Sequence, residues 1–207
     1  MRESSAAELR LDSPPPLGVW PEDGPEDPVL QALDAGDPDH ALTLLMRLHG
    51  QAIYRFCRQM LPEDEMARDV HQMTFVQAYE GFGSFRRQSS LKSWLFSIAR
   101  NRCLDAIKMR RRRLARIEPV PDLPENAGDE PGVEEALASR SVVRMLEYCL
   151  GTLAPRTRMA VLLRFREEIS YPEMGRICGE QAATLQARVA RALPALRRCL
   201  EAKGAAL

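Results

Sequence analysis

Between Glu118 and Gly132 the chain sets prolines at 119, 121, 124 and 131 among five acidic residues. Proline has a fixed φ and no backbone N–H, and the acids repel one another, so no helix or strand is expected to cross this stretch. It is read as a flexible acidic linker, residues 118–133, and it splits any core the chain builds into two units. Residues 29–117 and 134–200 are the two candidates. Residues 1–28 carry Pro14, Pro15, Pro16, Pro21, Pro25 and Pro28 among acids and are read as a disordered tail, with 201–207 a short tail at the other end.

Charge follows the same division. The formal net charge of zero is made of blocks: −8 over residues 1–39, +9 over 40–117, −6 over 118–140 and +5 over 141–207. Two basic units lie on either side of an acidic spacer, so polyanion binding belongs to the units and not to the chain as a whole.

Within each unit the apolar residues recur at helical spacing, and abundant Ala, Leu and Arg with 6% aromatics favours helices over sheets. Asp37-Pro38 is an N-cap followed by proline at the first helical position, so a helix is predicted over 38–60. Its stripe is Leu42, Leu45, Leu48, Ala52, Phe56 and Met60. Leu61-Pro62 breaks it. A second helix covers 63–80, burying Met66, Val70, Phe75 and Ala78 or Tyr79. Gly81 and Gly83 end it, and a loop runs to Ser90, the cap of a helix to about Arg116. That helix turns Leu91, Leu95, Ile98, Cys103 or Leu104 and Ile107 inward. Past the linker, helices are predicted near 134–150, 155–167, 171–177 and 182–200. Ser170 and Glu173 have the spacing of a capping box. The last two helices, joined through Cys178-Gly179-Glu180-Gln181, form a helix-turn-helix pattern. The fold class is therefore all-α: two small helical domains joined by the acidic linker, the C-terminal one holding the helix-turn-helix.

The stretch ARDVHQMTFVQAYEGFGSFRRQSSLKSWLFSIARNRCLDAIKMRRRR, residues 67–113, mixes aromatics with a dense set of cations. Rings stack on unpaired bases while guanidiniums neutralise phosphates, so this is a pattern for single-stranded or melting DNA. Arg86, Arg87 and Ser89 lie in its loop. Lys92, Arg100, Asn101, Arg110 and Arg111 follow on the next helix. Trp94, alone on an amphipathic helix, is read as core in preference to base stacking. A helix-turn-helix by itself does not separate a DNA reader from a plain bundle. Its second helix offers Thr184, Gln186, Arg188 and Arg191, expected on one side, where Gln can bond adenine and Arg guanine. Pro194 is expected to kink or shorten that helix.

Catalysis finds no support: His40, His49 and His71 have no nucleophile partner, and no metal-binding or phosphate-loop motif occurs. Neither a cofactor nor a metal is expected. Asp69 and Glu63 to Glu65 suit a helix N-terminus. The five cysteines, 57, 103, 149, 178 and 199, include no CxxC pair and read as small buried hydrophobes. No apolar run spans a membrane and the N-terminus is unlike a secretory signal, so a cytoplasmic protein is expected.

The quoted residues resemble a bacterial RNA polymerase sigma factor of the extracytoplasmic-function (ECF) type. ARDVHQMTFVQAY, 67–79, resembles that family's core-polymerase-binding helix, and SSLKSWLFSIARNRCLD, 89–105, its promoter-melting helix. LAPRTR, 153–158, and ISYPEMGRI, 169–177, resemble its C-terminal helix-turn-helix domain. The resemblance implies that 29–117 is region 2 and 134–200 region 4. Asp69, Gln72 and Phe75 would then meet the polymerase clamp helices, Phe75 also serving as core. The loop 83–89 would hold a base flipped out of the −10 element, and Lys92, Arg100 and Asn101 would follow the non-template strand. The C-terminal domain would sit by the polymerase flap and read the −35 element, and an anti-sigma partner is implied.

Two departures from the pattern stand out. Met73 replaces a usual Glu, and Thr184-Leu-Gln-Ala-Arg188 lacks a cation and a hydroxyl, which predicts an unusual or relaxed −35 preference. Bound promoters sharing a tight −35 consensus would contradict it. Two other functions fit parts of the chain: a stand-alone duplex-binding helix-turn-helix regulator, and a degenerate sigma that binds polymerase or an inhibitor without opening promoters.

Overall fold

The computed structural model describes residues 27–115 and 134–205, with side chains of the second segment from 142 onward. The tail over 1–26 and the linker over 118–133 lie outside the described residues. The described residues form helices, with no strand among them. They are α1 (Asp27–Asp34), α2 (Pro38–Met60), α3 (Asp64–Gly81), a 3₁₀ turn (Phe82–Ser84), α4 (Leu91–Leu114), α5 (Glu134–Thr152), α6 (Pro155–Phe165), α7 (Tyr171–Cys178) and α8 (Ala182–Ala202).

The starts are set by local chemistry. The Asp37 carboxylate accepts from the His40 N–H at 2.9 Å, and Ser90 accepts from the Ser93 N–H at 3.0 Å. Ser170 and Glu173 close the predicted capping box. The stops are as local: Leu61 is extended before Pro62, and Gly179 takes φ +64, the left-handed conformation that ends α7.

Three features differ from expectation, and two open alternatives are resolved. Asp27 and Pro28, assigned to the tail, open α1, which covers one end of α2 with Val29 and Ala32. The buried face of α2 is Ala41, Leu45, His49, Ile53, Phe56 and Met60, rotated from the expected stripe, and Leu48 is exposed. The α1 and α3 helices approach α2 from a side that its leucines alone do not mark. In α3, Ala78 is buried and Tyr79 exposed, and in α4 Cys103 takes the inner position. Finally, α8 continues to Ala202, eight residues past Pro194, so the proline does not shorten it and the C-terminal tail contributes its last helical residues.

In the N-terminal group α2, α3 and α4 pack together around Phe56 and Phe96, whose rings meet edge to face at 5.3 Å. In the C-terminal group α6, α7 and α8 enclose Met159, Leu163, Met174 and Leu185, all essentially buried. Gly175 sits where α7 and the start of α8 cross: a Cβ there would come within 2.9 Å of the Glu180 carbonyl oxygen. The α5 helix lies along α8, and a disulfide joins Cys149 to Cys199. That pairing differs from five independent buried hydrophobes; it joins residues 50 apart in sequence, which no short motif reports.

The two groups touch. The α4 helix packs on α7, and the end of α2 meets α5 and α6. Arg158 of α6 is the main tie: its guanidinium donates to the carbonyls of Gly151 at 2.5 Å, Gln59 at 3.1 Å, and Met60 and Leu153 at 3.4 Å. Two of those carbonyls end α2, where the last C=O groups lack helical partners.

Candidate nucleic-acid interface

The α3 helix presents one outward ridge. Asp69, Gln72, Met73, Val76 and Tyr79 fall within about 120° of one another at 100° per residue and all are exposed. Phe75 lies on the other side, 3% exposed, against the His71 ring at 5.2 Å. Of the three expected polymerase contacts, Asp69 and Gln72 are at the surface, whereas Phe75 is buried against His71. His71 is structural too: its Nε2 lies 3.1 Å from the Gly50 carbonyl, and burial pushes its pKa down.

After α3 the chain turns through Phe82, and the loop to Ser90 is pinned at both sides. Phe85 packs on Trp94 with ring centroids 5.0 Å apart, and Phe82 lies against the same indole at 6.0 Å. Trp94 is thus part of an aromatic cluster, half-buried, under the loop. Arg87 adopts φ +53, uncommon for a side-chain-bearing residue, and is ion-paired with Asp34 of α1. Arg86 stays exposed at the loop surface and Ser89 is half-buried beside the cap.

The α4 helix carries the cations in two settings. Toward its end, Arg100, Arg102, Lys108, Arg111 and Arg112, joined by Arg156 of α6, line an open cleft of about 1110 Å³ in which Asp105 is the acid. Asn101 lines the same cleft, its Oδ1 accepting from Arg100 at 2.6 Å. Arg110 pairs instead with Glu63 at 2.9 Å, tying α4 to the start of α3. At its start Lys92 donates to the Glu167 carbonyl at 2.6 Å, and mid-helix Arg100, at the near edge of the cleft, also donates to the Cys178 carbonyl at 3.1 Å. Ser93 adds a bond to Glu173 at 3.3 Å. Two residues expected on a DNA strand are therefore engaged with the C-terminal group.

The Glu167 side chain is 5% exposed beside this seam, and burial raises its pKa against the opposing charges of Lys92, Arg166, Arg55 and His49. A second cleft, about 1060 Å³, opens along the same seam between α1, the 85–93 segment and the α6–α7 turn.

On α8 the four expected readers do not share a side. Leu185, Val189, Ala192 and Leu196 face the core. At 100° per residue Thr184, Arg188 and Arg191 flank one edge of the outer face and Gln186 the other, with Ala183, Ala187 and Ala190 between them. Arg188 is held in a fork by Glu180, with one bond at 3.0 Å, which lowers the Glu180 pKa and raises that of Arg188. Arg191 turns back to the Ala187 carbonyl at 3.2 Å.

Sequence reasoning did not single out Arg158, Glu167, Glu180 or Asp34 as partners of site residues. Glu167 lies 75 residues from Lys92, Asp34 53 from Arg87 and Arg158 99 from Gln59, and these pairings, like that of Glu180 with Arg188 across the turn, carry no local signature. No helix among the described residues is long and apolar enough to cross a membrane, and no cluster of potential metal ligands occurs among them.

Comparison with known proteins gives this geometry a family. Residues 45–113 match the family model for Sigma-70 region 2, and residues 144–196 that for Sigma-70, region 4. RNA polymerase sigma factor CnrH of Cupriavidus metallidurans is 31% identical over 188 residues, covering 88% of this chain and 97% of that one. ECF RNA polymerase sigma factor SigM of Mycobacterium tuberculosis is 31% identical over 194 residues, covering 90% and 94%.

Two solved structures share the fold, each with a TM-score of 0.61 and 24% identity. One is sigma factor RpoE in complex with the anti-sigma factor NepR from Bartonella quintana, covering 75% of this chain and 94% of that chain. The other is CnrH in complex with the cytosolic domain of CnrY, covering 86% and 98%. With both regions matched in order, and relatives covered almost end to end at 31% identity, the chain belongs to the ECF family of RNA polymerase sigma factors.

Proposed function

We propose that this ECF sigma factor, a binding protein and not an enzyme, directs promoter opening through three surfaces of its own. The ridge Asp69, Gln72, Met73, Val76 and Tyr79 docks on core polymerase. The segment from Arg86 to Arg112 takes the −10 element as it melts: Arg86, Arg87 and Ser89 border the flipped base, Trp94 supports the pocket from below, and Lys92, Arg100, Asn101, Arg110 and Arg111 follow the non-template strand. The outer face of α8, with Thr184, Gln186, Arg188 and Arg191, reads the −35 element. Residues 29–117 and 134–200 act as region 2 and region 4, joined by 118–133. Its workplace is the cytoplasm, with the polymerase, and its expected inhibitor is an anti-sigma protein.

The observation that carries this is the cleft of six cations along α4. A factor that does no covalent chemistry must stabilise unpaired DNA by binding alone. Extruding a base costs a few kcal/mol; stacking returns about 1–3 kcal/mol per base, and phosphate contacts add an electrostatic gain. The α4 surface offers the cations, while its half-buried Trp94 packs with Phe82 and Phe85 beneath the adjoining loop.

The ties from Lys92 and Arg100 to carbonyls of the C-terminal group belong to the factor off DNA. Promoter engagement exchanges them for phosphates, so docking on polymerase and parting of the two groups are coupled steps.

Run-off transcription with core polymerase on genomic fragments, followed by sequencing of RNA 5′ ends, tests the proposal. Discrete 5′ ends that require this protein, preceded by paired −10 and −35 motifs, are the expected result. Absence of such ends with a polymerase active on another sigma would refute it.

A further inference from the structure

The five cysteines fall into three settings. Cys57 and Cys103 face each other across the N-terminal core with sulfurs 3.9 Å apart, both fully buried. Cys178 is buried alone, its thiol pKa pushed up by burial. Cys149, at the end of α5, and Cys199, near the end of α8, are bonded, with Cα atoms 5.8 Å apart, inside the window a disulfide spans without backbone movement.

Access also separates the settings. Cys149 is sealed in the core, whereas Cys199 is half-buried, so only one sulfur of this pair is reachable by a small molecule. Arg197 and Arg198 precede Cys199, and Lys203, one turn on, lies over the Tyr148 ring at 4.0 Å, next to Cys149.

A transcription factor that works on polymerase meets a reducing compartment, where structural disulfides are rare and those that form are conditional. We propose that Cys149 and Cys199 form a reversible oxidation site whose co-reactant is a low-molecular-weight disulfide. Only the choice of compartment rests on the sigma-factor function. The Cys199 thiolate attacks the small disulfide, releasing one small thiol and forming a mixed disulfide at Cys199. The Cys149 thiolate then attacks the Cys199 sulfur and releases the second small thiol. Two protein thiols are oxidised and one small disulfide is reduced to two thiols, with no other reagent. The product closes a loop around α6, α7 and most of α8, clamping the helix-turn-helix to α5.

The test is a thiol count on the full chain. Protein equilibrated in graded ratios of reduced to oxidised glutathione is acid-quenched, denatured, alkylated and weighed. The expected wild-type result is one two-electron step from five alkylatable thiols to three, with peptide mapping placing the bond at 149–199. Cys149→Ser should accumulate a single glutathione adduct at Cys199, whereas Cys199→Ser should accumulate none at Cys149. Thermal melting of the C-terminal group should shift upward by roughly 10 °C in the oxidised wild type and not in either variant.

Five thiols persisting in fully oxidised buffer, or a bond between Cys57 and Cys103 instead, would overturn the proposal. Because the count needs neither polymerase nor promoter, failed transcription with a normal thiol step would reject the initiation function and leave this site standing.

Discussion

Removing the Arg158 guanidinium separates two things the native chain does together, folding its C-terminal group and holding that group against α2. The bond to Gly151 at 2.5 Å and the weaker one to Leu153 at 3.4 Å lie within the C-terminal group. The bond to Gln59 at 3.1 Å and the weaker one to Met60 at 3.4 Å cross to the other. A hydrogen bond to a charged group contributes about 1.5–3 kcal/mol, and a cation at a helix C-terminus about 0.3–1 kcal/mol. Burial lowers the Arg158 pKa, so desolvation opposes these gains and the low end of each range applies.

Arg158→Ala should therefore cost the C-terminal group about 1.5 kcal/mol, and the contact between the groups about 2 kcal/mol through one good bond and the α2 terminus. The second figure is roughly a 30-fold shift toward the parted form, at 1.4 kcal/mol per decade. Hydrogen exchange resolved by peptide is the assay. Amides at the end of α2, the start of α4 and α7 should lose protection by that factor, while those in the middle of α3 keep theirs. Arg158→Lys, which keeps the charge but not the fork, should recover about half of the loss in logarithmic terms. Unchanged seam protection in Arg158→Ala would refute the reasoning, as would an equal loss in α3, which would signal general unfolding.

Further outcomes are as specific. Gly175→Ala places a Cβ 2.9 Å from the Glu180 carbonyl oxygen, where backbone must shift, and should destabilise the C-terminal group by about 1–3 kcal/mol in urea melts. Glu167 has a folded pKa raised by burial, so the folded state holds its proton more tightly than the unfolded state. Stability is fullest below the ordinary glutamate value of 4.5 and falls as pH rises from there through the raised value. Glu167→Gln should raise the melting temperature at pH 7 and flatten that slope, while the Lys92 bond to the backbone carbonyl survives. Arg111→Ala should reduce the slope of log affinity against log salt for single-stranded −10 DNA by about 0.7. An unchanged slope in filter binding would remove Arg111 from the strand path.

What was legible in the sequence is what local chemistry fixes. Asp37-Pro38, Leu61-Pro62, Ser90 and the Ser170–Glu173 box place helix ends within a residue or two of those observed. The cation density of α4 was legible too, and five of those cations line one cleft. What stayed illegible is decided by partners far along the chain. The α2 stripe turned because α1, short and next to a proline-rich segment, covers a face its leucines do not mark. Gln186 was grouped with Thr184 although two residues on a helix are 200° apart. The engagement of Arg188 by Glu180, of Lys92 by the α6–α7 turn and of Cys149 by Cys199 are all tertiary events.

The pairing of Arg87 with Asp34 carries a consequence for rewiring such factors. The loop proposed to border the −10 pocket contains left-handed Arg87, whose side chain pairs with a carboxylate 53 positions upstream, on a helix outside the region 2 match. A specificity graft that moves residues 83–89 alone would therefore carry the side chains proposed to contact the base but leave behind the Asp34 partner of Arg87. If the loop reads the −10 element as proposed, promoter preference draws on two separated segments, and a transplant that includes both α1 and the loop should transfer it better than the loop alone.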